Sequence, residues 1–430
     1  MKEKLNEQFI IDLSTKKGEP KWMLEFRLQS FKKFLELDNP DFGPELNIDF
    51  DKILYYKNKT EKSVSEWDKV DTNIKDTFCN LGVIDAENKY LDGVTNQLES
   101  EVFYHKQNTD KDIIFLSTDD ALKKYPELFK EYFNNLVKYD ENKYTALNGA
   151  VWSGGSFIYI PANTKLDRPL QSYFRIETES LGQFERTIII VEEGADLSYI
   201  EGCTARSYSS TSLHAGVVEI YVKKGAHCRY STIQNWSTDV YNLVTKRAIV
   251  EDNGVMEWVD GNIGSGVTMK YPSCILKGDN SVGNSISIAY AKLHQHLDAG
   301  AKMIHLGKNT KSNILSKSIA GEGGISNYRG TVRIGKNAIN SEAKIKCDTI
   351  LLDSLSKSDT YPKNKVENNS SYIEHEATVS KLSQDKLFYL QSQGLNEDSA
   401  KELLIMGFIS DFKKELPMEY AIELNRLLKS

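Results

Sequence analysis

The chain has 430 residues, 40% of them hydrophobic and 27% charged, and a formal net charge of −7. This acidic balance argues against general nucleic-acid binding, which needs basic surface to neutralise phosphates. No apolar run is long enough for a membrane span, and the N-terminus lacks the apolar core of a signal peptide. The five cysteines are odd in number and well separated, which suits a reducing cytosol better than a disulfide framework.

Residues 1–143 are predicted to form a helical N-terminal region with loops. Pro20 begins a helix whose apolar residues continue at helical spacing to Leu35. Ser117 or Thr118 can cap a second helix that continues to Leu136. The aromatic residues of this region are interpreted as core packing.

Residues 144–380 are predicted to form a β core, because the pattern changes to period two from Tyr144. Its strands restart after similar turns around Gly194, Gly225 and Gly254, about every 30 residues, and the later spacings to Gly300 and Gly335 are 46 and 35 residues. Imperfect recurrence of one supersecondary unit indicates a solenoid, and the period-two alternation makes it a β-solenoid.

Residues 381–430 return to a helical pattern. Ser383 and Asn396 can cap two helices, and Pro417 opens a last one that runs through Leu428. Short helices bury little surface alone, so this tail must dock on the chain itself or on a partner.

Strand parity places several chemically active side chains on the more apolar, inward faces of the core. They are Glu201, Cys203, His214, Gln234, Lys246 and Cys347. Two interpretations remain open at this point. The cysteines can be packing residues beside a satisfied internal ion pair. Alternatively, a thiol beside acid, imidazole and ammonium groups can be a tuned sulfur carrier.

The string Glu374–His375–Glu376 follows the repeats. Two carboxylates and an imidazole can coordinate iron if a thiolate such as Cys347 joins them. In an extended strand, however, Glu374 and Glu376 share one face and His375 takes the other, so all three cannot easily bind one ion. The alternative is a solvated polar strand.

Several long strings of this sequence resemble one family, the SufB/SufD iron–sulfur cluster assembly proteins, and specifically its SufB branch. They include YIEGCTA at 199–205, TIQNW at 232–236, MEWVDGNIGS at 256–265, MKYPSCILKG at 269–278 and EHEATVSK at 374–381. NGAVWSGGSFIYIP at 148–161 and LPMEYAIELNRLL at 416–428 extend the resemblance over nearly the whole chain.

The resemblance implies a mainly β fold, in which a right-handed parallel β-helix core is flanked by α-helical N-terminal and C-terminal regions. It implies a cytoplasmic, or plastid-stromal, assembly scaffold without turnover of its own. The implied partners are a SufC-type ATPase bound through the C-terminal helices, SufD or a second SufB chain, and a cysteine desulfurase relay of SufS with SufE or SufU. The implied cofactor is a transient iron–sulfur cluster, and reduced flavin is left open as an electron source.

The resemblance also implies residue roles. Cys203 would accept persulfide sulfur. A sulfur route through the β-helix would be lined by Arg175, Glu185, Glu201, His214, Gln234, Trp236 and Lys246. The nascent cluster and its iron would be held by Cys347, Glu374, His375 and Glu376.

Two other functions compete with this one. A SufD-like structural partner would share the fold and the ATPase-docking tail, but should lack Cys203 and Cys347 together with the Glu-His-Glu string. A carbohydrate-active β-helix enzyme would need paired carboxylates at a fixed separation on an exposed face and would work outside the cell.

Overall fold

A computed structural model describes residues 4–59, 63–80 and 83–415. It confirms the predicted β-helix, as a parallel β-solenoid of about eight turns with helices at both ends. The helices are α1 (Glu7–Lys17), α2 (Lys21–Glu36), α3 (Thr72–Asn80), α4 (Val83–Tyr90), α5 (Thr118–Lys124), α6 (Pro126–Tyr132), α7 (Lys143–Val151), α8 (Gln384–Ser392), α9 (Glu397–Phe408) and α10 (Ser410–Glu415). A 3₁₀ turn spans Trp67–Lys69.

The strands alternate between two sheets as the chain coils. The first eleven are β1 (Gly93–Leu98), β2 (Glu101–Gln107), β3 (Ile114–Ser117), β4 (Ser156–Ile160), β5 (Leu170–Ile176), β6 (Gly182–Gln183), β7 (Arg186–Val191), β8 (Asp196–Ala205), β9 (Ser212–His214), β10 (Val217–Val222) and β11 (His227–Asn235). The others are β12 (Val240–Val250), β13 (Val255–Ile263), β14 (Val267–Lys270), β15 (Ser273–Leu276), β16 (Val282–Ala291), β17 (His296–His305), β18 (Lys311–Ala320), β19 (Ile325–Ile334), β20 (Glu342–Leu351), β21 (Thr360–Val366) and β22 (Tyr372–Lys381).

The first sheet has the order β2-β1-β5-β8-β11-β13-β16-β18-β20-β22. The second has β21-β19-β17-β14-β12-β10-β7-β4-β3, with β6, β9 and β15 joined beside this path. Pairing is parallel except where β2 meets β1 and β3 meets β4. An apolar cluster between the sheets, including Leu197, Ile220 and Val250, holds the coils together.

One corner of the coils carries a residue in the left-handed backbone conformation in successive turns. These residues are Asn163, Gly194, Gly225, Asn253, Asn280, Asn309 and Asn340. The corners of neighbouring coils are hydrogen-bonded to each other. For example, the Gly194 N–H donates to the carbonyl of Lys224, which precedes the next corner at Gly225, at 3.0 Å. The predicted turns at Gly194 and Gly225 are therefore confirmed. The turn predicted at Gly300 is wrong, because Gly300 lies inside β17 and the corners are at Asn280 and Asn309. Asparagine tolerates this conformation, so a prediction based on glycine alone does not find the corners at Asn280 and Asn309.

Helical elements cover the outer faces of both sheets. Ile405 of α9 belongs to a buried cluster with the C-cap residue Ile409. The cluster also contains Ile233 and Val259, which point outward from the first sheet. On the second sheet, Phe129 and Trp152 pack in a cluster with Ile188. The terminal regions thus convert both exposed sheet faces into cores.

The N-terminal region departs from its prediction in three places. Residues 93–117 form strands β1–β3, where the sequence analysis expected only helices and loops. The predicted helix after Ser117 is two helices, and the second begins at Pro126, which cannot continue a preceding helix. The sequence pattern predicts period-two strands from Tyr144, but residues Lys143–Val151 are helical, with Asn142 forming a capping box with Thr145.

The C-terminal caps at Ser383 and Asn396 are confirmed, because each side chain accepts a backbone N–H of the first turn. The predicted helix from Pro417 lies outside the described residues. Within the described ranges, no helix combines the length and apolarity that a membrane span requires.

Candidate functional site

Cys203 lies inside the solenoid on β8, in contact with a buried ion pair. Its thiol donates to Glu201 Oε1 across 3.8 Å, and Lys246 Nζ donates to the same oxygen at 3.2 Å. The second oxygen, Oε2, accepts from the Tyr230 hydroxyl. All four side chains are at most 1% exposed. Parity correctly placed Glu201, Cys203 and Lys246 inside.

Electrostatics keep the Cys203 thiol protonated at rest. Burial raises the pKa of Cys203 well above its usual value, the Glu201 and Glu185 carboxylates raise it further, and Lys246 and Lys270 act against this. Burial alone would lower the pKa of Lys246, but the adjacent Glu201 raises it, so this lysine is cationic. Glu201 is therefore the group placed to take the thiol proton.

A second buried ion pair, which the sequence analysis missed, lies further along the solenoid, two strands of the first sheet beyond Glu201. Lys270 Nζ is 2.9 Å from Asp260 Oδ1, and both side chains are at most 2% exposed. Lys270 also donates to Gln234 Oε1 at 3.1 Å, and Thr232 donates to Asp260 at 2.6 Å. Strand parity is the signal that identifies Asp260 as inward, because it shares a face of β13 with the buried Trp258.

His214 belongs to the same interior group. Its Nε2 lies 2.5 Å from Glu185 Oε1, and its Nδ1 lies 2.7 Å from Asn242 Oδ1. Burial alone would lower the pKa of His214, but the Glu185 carboxylate raises it. The Trp236 ring centroid is 4.7 Å from that of His214. Glu185, His214 and Trp236, named by resemblance, thus form one contiguous group with the Cys203 environment.

The strand register connects this group with Cys347. One inward row of the first sheet passes, strand by strand, through Glu201, Thr232, Asp260, Ser287, Ser316 and Cys347. Five strand spacings separate Glu201 from Cys347, or roughly 24 Å. Ser287 donates to Ser316 at 3.2 Å, so the row is polar along its length.

Cys347 is buried, one strand from the open edge of the first sheet. Its Sγ is 3.9 Å from Nε2 of His375 on the edge strand β22, and the ring's Nδ1 is 3.2 Å from the Asn364 amide nitrogen. Burial raises the pKa of Cys347 to about 12, partly offset by Tyr328. Burial also lowers the pKa of His375. A buried thiol beside a neutral imidazole is a pair of potential metal ligands.

Glu374 and Glu376 do not join Cys347. Alternation along β22 turns them outward, where they lie 3.6 and 4.0 Å from the ammonium groups of Lys344 and Lys346. In the part of the chain that the structure describes, no three His, Cys, Asp or Glu side chains converge as a metal site. The four residues expected to hold iron therefore divide into an inner pair and an outer pair.

Arg175 also lies apart from the interior group. Phe174 and Ile176 point into the cluster that contains Cys203, so Arg175 takes the opposite face of β5. There its guanidinium donates to Glu177 at 2.9 Å and to Thr204 at 3.1 Å.

A surface pocket of about 270 Å³ lies beside the Cys203 group. Ser207, Asn235 and Trp236 belong to its wall, and Trp236 also belongs to the buried cluster around Cys203.

Two family models match the chain. Residues 174–408 match the model described as "SUF system FeS cluster assembly, SufBD core domain", and residues 12–172 match "SufBD protein N-terminal region". Together the two matches include the solenoid, the interior polar row and most of the helices.

Curated relatives are similar over almost the whole chain. The "Iron-sulfur cluster assembly protein SufB" of Bacillus subtilis is 53% identical over 429 residues, covering 99% of this chain and 92% of the relative. The "Iron-sulfur cluster assembly SufBD family protein SSP1857" of Staphylococcus saprophyticus is 55% identical with the same coverage. A Staphylococcus epidermidis protein of the same description is also 55% identical, with that coverage.

Proposed function

The chain belongs to the SufB/SufD family of iron–sulfur cluster assembly proteins, and we propose that it is a SufB-type scaffold that accepts persulfide sulfur at Cys203 and builds a nascent cluster at Cys347. The observation that carries the proposal is the single inward row of polar side chains between the surroundings of these two thiols.

The first step is a sulfur exchange at Cys203. The thiol gives its proton to Glu201, and the resulting thiolate attacks the outer sulfur of a donor persulfide. The donor's S–S bond breaks, a new S–S bond forms on Cys203, and the donor leaves as a thiolate that takes up one proton. No net oxidation occurs. The 3.8 Å contact from Sγ to Glu201 supports this proton transfer.

Sulfur then follows the interior row toward Cys347. Lys246 and Lys270 offer positive charge near its start, and the small hydroxyl side chains of Ser287 and Ser316 lie further along. Conversion of persulfide sulfur to cluster sulfide consumes two electrons per sulfur, which a reductant outside this chain, a dithiol in the simplest case, must supply. Reduced flavin, which the resemblance left open as their source, has no support in the family matches.

At the far end, Cys347 and His375 supply two candidate ligands on one face. A tetrahedral metal needs four, so a partner chain must complete the site. Cys347 on β20 and His375 on β22 lie beside the ends of the two sheets, which finish with β21 and β22, and this supports a partner chain joining at that surface. In this proposal the partner is SufD or a second SufB-type copy, and the outer Glu374 and Glu376 serve iron delivery or proton handling.

The remaining assignments stay proposals from the resemblance. A SufC-type ATPase would bind the C-terminal helical region at 381–430, and the complex would receive sulfur from a SufS relay with SufE or SufU in the cytoplasm. Hydrolysis belongs to the ATPase, so this chain would be a scaffold and not an enzyme. Arg175 would act from the outer face of β5.

The proposal is tested by separating sulfur delivery from cluster holding. In a complex purified without oxygen, Cys203→Ala should block cluster formation from a desulfurase but retain reconstitution with iron and free sulfide. Cys347→Ser should lose the cluster by both routes while the ATPase complex persists on size exclusion. Cys228→Ala, which removes a thiol from the apolar part of the interior, is the matched control and should behave as wild type. A complex that binds no iron and labile sulfide by either route would refute the scaffold role.

A further inference from the structure

The inward row that contains Glu201 also continues in the opposite direction, toward the N-terminal end of the solenoid. In register order it passes from Glu201 to Ser172 on β5, to Thr95 on β1 and to His105 on β2. Ser172 and Thr95 are at most 1% exposed. His105 is only partly buried, on the strand that begins the first sheet. This N-terminal extension of the row therefore links a buried carboxylate to a side chain that meets solvent.

Hydroxyl groups bonded to one another lie at the start of the N-terminal extension. The Ser172 and Ser156 hydroxyls are 2.7 Å apart, and the Tyr199 hydroxyl donates to Ser156 at 3.3 Å. Burial and the nearby Glu201 carboxylate raise the pKa of Tyr199, so its hydroxyl is neutral. A neutral hydroxyl both donates and accepts a hydrogen bond, so it can pass on one proton as it receives another.

His105 ends the N-terminal extension. Its Nδ1 lies 3.2 Å from Thr95 Oγ1, and its ring centroid is 5.4 Å from that of Phe115. Burial lowers the pKa of His105, while on α5 Asp120 raises it and Lys124 lowers it. A neutral imidazole accepts a proton at one nitrogen and releases one from the other. His105 therefore has the chemistry of a proton carrier between Thr95 and water.

The polar character is confined to this one row. Leu170 and Phe174, two positions before and after Ser172 on the same face of β5, are both fully buried. Packing at this end of the solenoid is thus supplied by apolar neighbours. The Glu201 carboxylate, at 1% exposure, in turn needs a route by which a proton taken from Cys203 reaches solvent.

We propose that the N-terminal extension conducts protons between Cys203 and solvent, through Glu201, Ser172, Thr95 and His105. The S–H bond of Cys203 breaks and an O–H bond forms on Glu201. That proton moves to Ser172 as the proton of Ser172 moves to Thr95 and the proton of Thr95 moves to His105 Nδ1. His105 then releases a proton from Nε2 to water.

Each hydroxyl in this path gains one proton as it loses one, and nothing is oxidised or reduced. The steps from Glu201 to Ser172 and from Ser172 to Thr95 each cross one strand spacing of about 4.8 Å. Rotation of a hydroxyl or one water molecule bridges such a step. The inference deepens the proposed function, on which it rests only for the use of the released proton.

The test follows hydrogen exchange at the Cys203 thiol and involves no sulfur transfer. The full chain is moved into deuterium oxide, and the loss of the Cys203 S–H stretching band is timed by infrared spectroscopy. Cys203→Ala identifies the band by its absence. Thr95→Val, which keeps the shape of the side chain and removes its hydroxyl, should slow the exchange by at least about tenfold. Ser172→Ala should slow it as well.

The last step of the path has its own signature. His105→Ala should slow the exchange of the Cys203 proton, and imidazole added to the solvent should restore it, because a small base can take the proton from Thr95 in place of the missing ring. Imidazole should not restore the exchange in Thr95→Val, where the break lies further inside.

Thr310→Val is the matched control. It removes another fully buried threonine hydroxyl that contacts a histidine ring, 2.8 Å from His305 Nδ1, and it lies outside the path. Its exchange should equal that of the wild type. Local opening of a destabilised variant would speed exchange at Cys203, so lost stability cannot imitate the expected slowing.

The outcomes separate this inference from the proposed function. Exchange that is unchanged or faster in Thr95→Val, Ser172→Ala and His105→Ala would show that the proton leaves by another route, and would overturn the path. If Thr95→Val does not fold, Ser172→Ala and the imidazole rescue of His105→Ala still decide the question. A wild-type chain that passes this test but takes no sulfur from a desulfurase would refute the proposed delivery and leave the proton path standing.

Discussion

Glu201 and Lys246 should change the reactivity of Cys203 in opposite directions. The Glu201 carboxylate raises the pKa of the thiol and Lys246 lowers it, in each case on top of the effect of burial. At a pH high enough for hydroxide to take the thiol proton in place of Glu201, Glu201→Gln should therefore increase the thiolate fraction of Cys203 and speed its alkylation. Lys246→Met should decrease the fraction and slow the reaction.

The magnitude follows from the distance between the groups. Glu201 Oε1 is 3.8 Å from Sγ, and unit charges about 4 Å apart interact by about 4 kcal/mol at an effective dielectric constant of about 20. A third of this energy already corresponds to about a tenfold change in rate. We expect at least a tenfold acceleration in Glu201→Gln.

The assay must distinguish the effect of the neighbouring charges on the Cys203 thiol from exposure of the thiol by local unfolding. Removing one member of a buried ion pair costs about 3–5 kcal/mol of stability, and local opening would expose Cys203 in both variants. Alkylation by iodoacetamide is measured per peptide, with exposed Cys79 as the internal reference, and urea unfolding gives the stability of each variant. Faster alkylation in both variants would show that opening controls access, and would refute the electrostatic argument.

Three further predictions concern stability, each measured by urea unfolding. Gly216→Ala should cost about 1–3 kcal/mol, because the new Cβ would lie 2.0 Å from Glu185 Oε1; no loss would mean that this carboxylate moves freely. His305 has a pKa lowered by burial to about 4, so the unfolded state binds its proton first. Stability should fall by about 3 kcal/mol as the pH drops from about 6.5 to about 4, and His305→Asn should lack this acid dependence. Glu219→Gln should cost about 3–5 kcal/mol, since it leaves Arg186 buried without a carboxylate; a loss under 1 kcal/mol would contradict that pairing.

The inward set could be predicted because side-chain parity is a local property of a strand. Once β8 and β12 were identified, alternation alone placed Glu201, Cys203 and Lys246 inside, and their burial confirms it. The same alternation along the strand separates His375 from Glu374 and Glu376, and the contacts of these side chains agree with it. Side-chain parity shows which face of a strand a residue occupies, but it gives no distance between residues.

The contacts between coils could not be predicted in the same way. Asp260 and Glu201 are far apart in sequence and lie in one row only because each coil has its particular length, with corners at Gly225 and Asn253 between them. A prediction of turns from glycine alone gives the wrong coil length at Gly300. The residues of successive coils therefore cannot be aligned from the sequence. The strands at 93–117 were missed for a related reason, since they are stabilised by pairing with β5 and β4 and not by a distinct local pattern.

The charge distribution of the interior argues for a role beyond folding. Replacing a buried ion pair by apolar side chains of similar volume is often neutral or stabilising, so folding alone does not require both Glu201–Lys246 and Asp260–Lys270 in the interior. These pairs occur only in the part of the row near Cys203, while Ser287 and Ser316 lead onward to Cys347. On the proposed function this order has a physical meaning: Lys246 and Lys270 offset the Glu201 and Asp260 carboxylates where an anionic sulfur enters, and small neutral hydroxyls bind it weakly enough for it to move on.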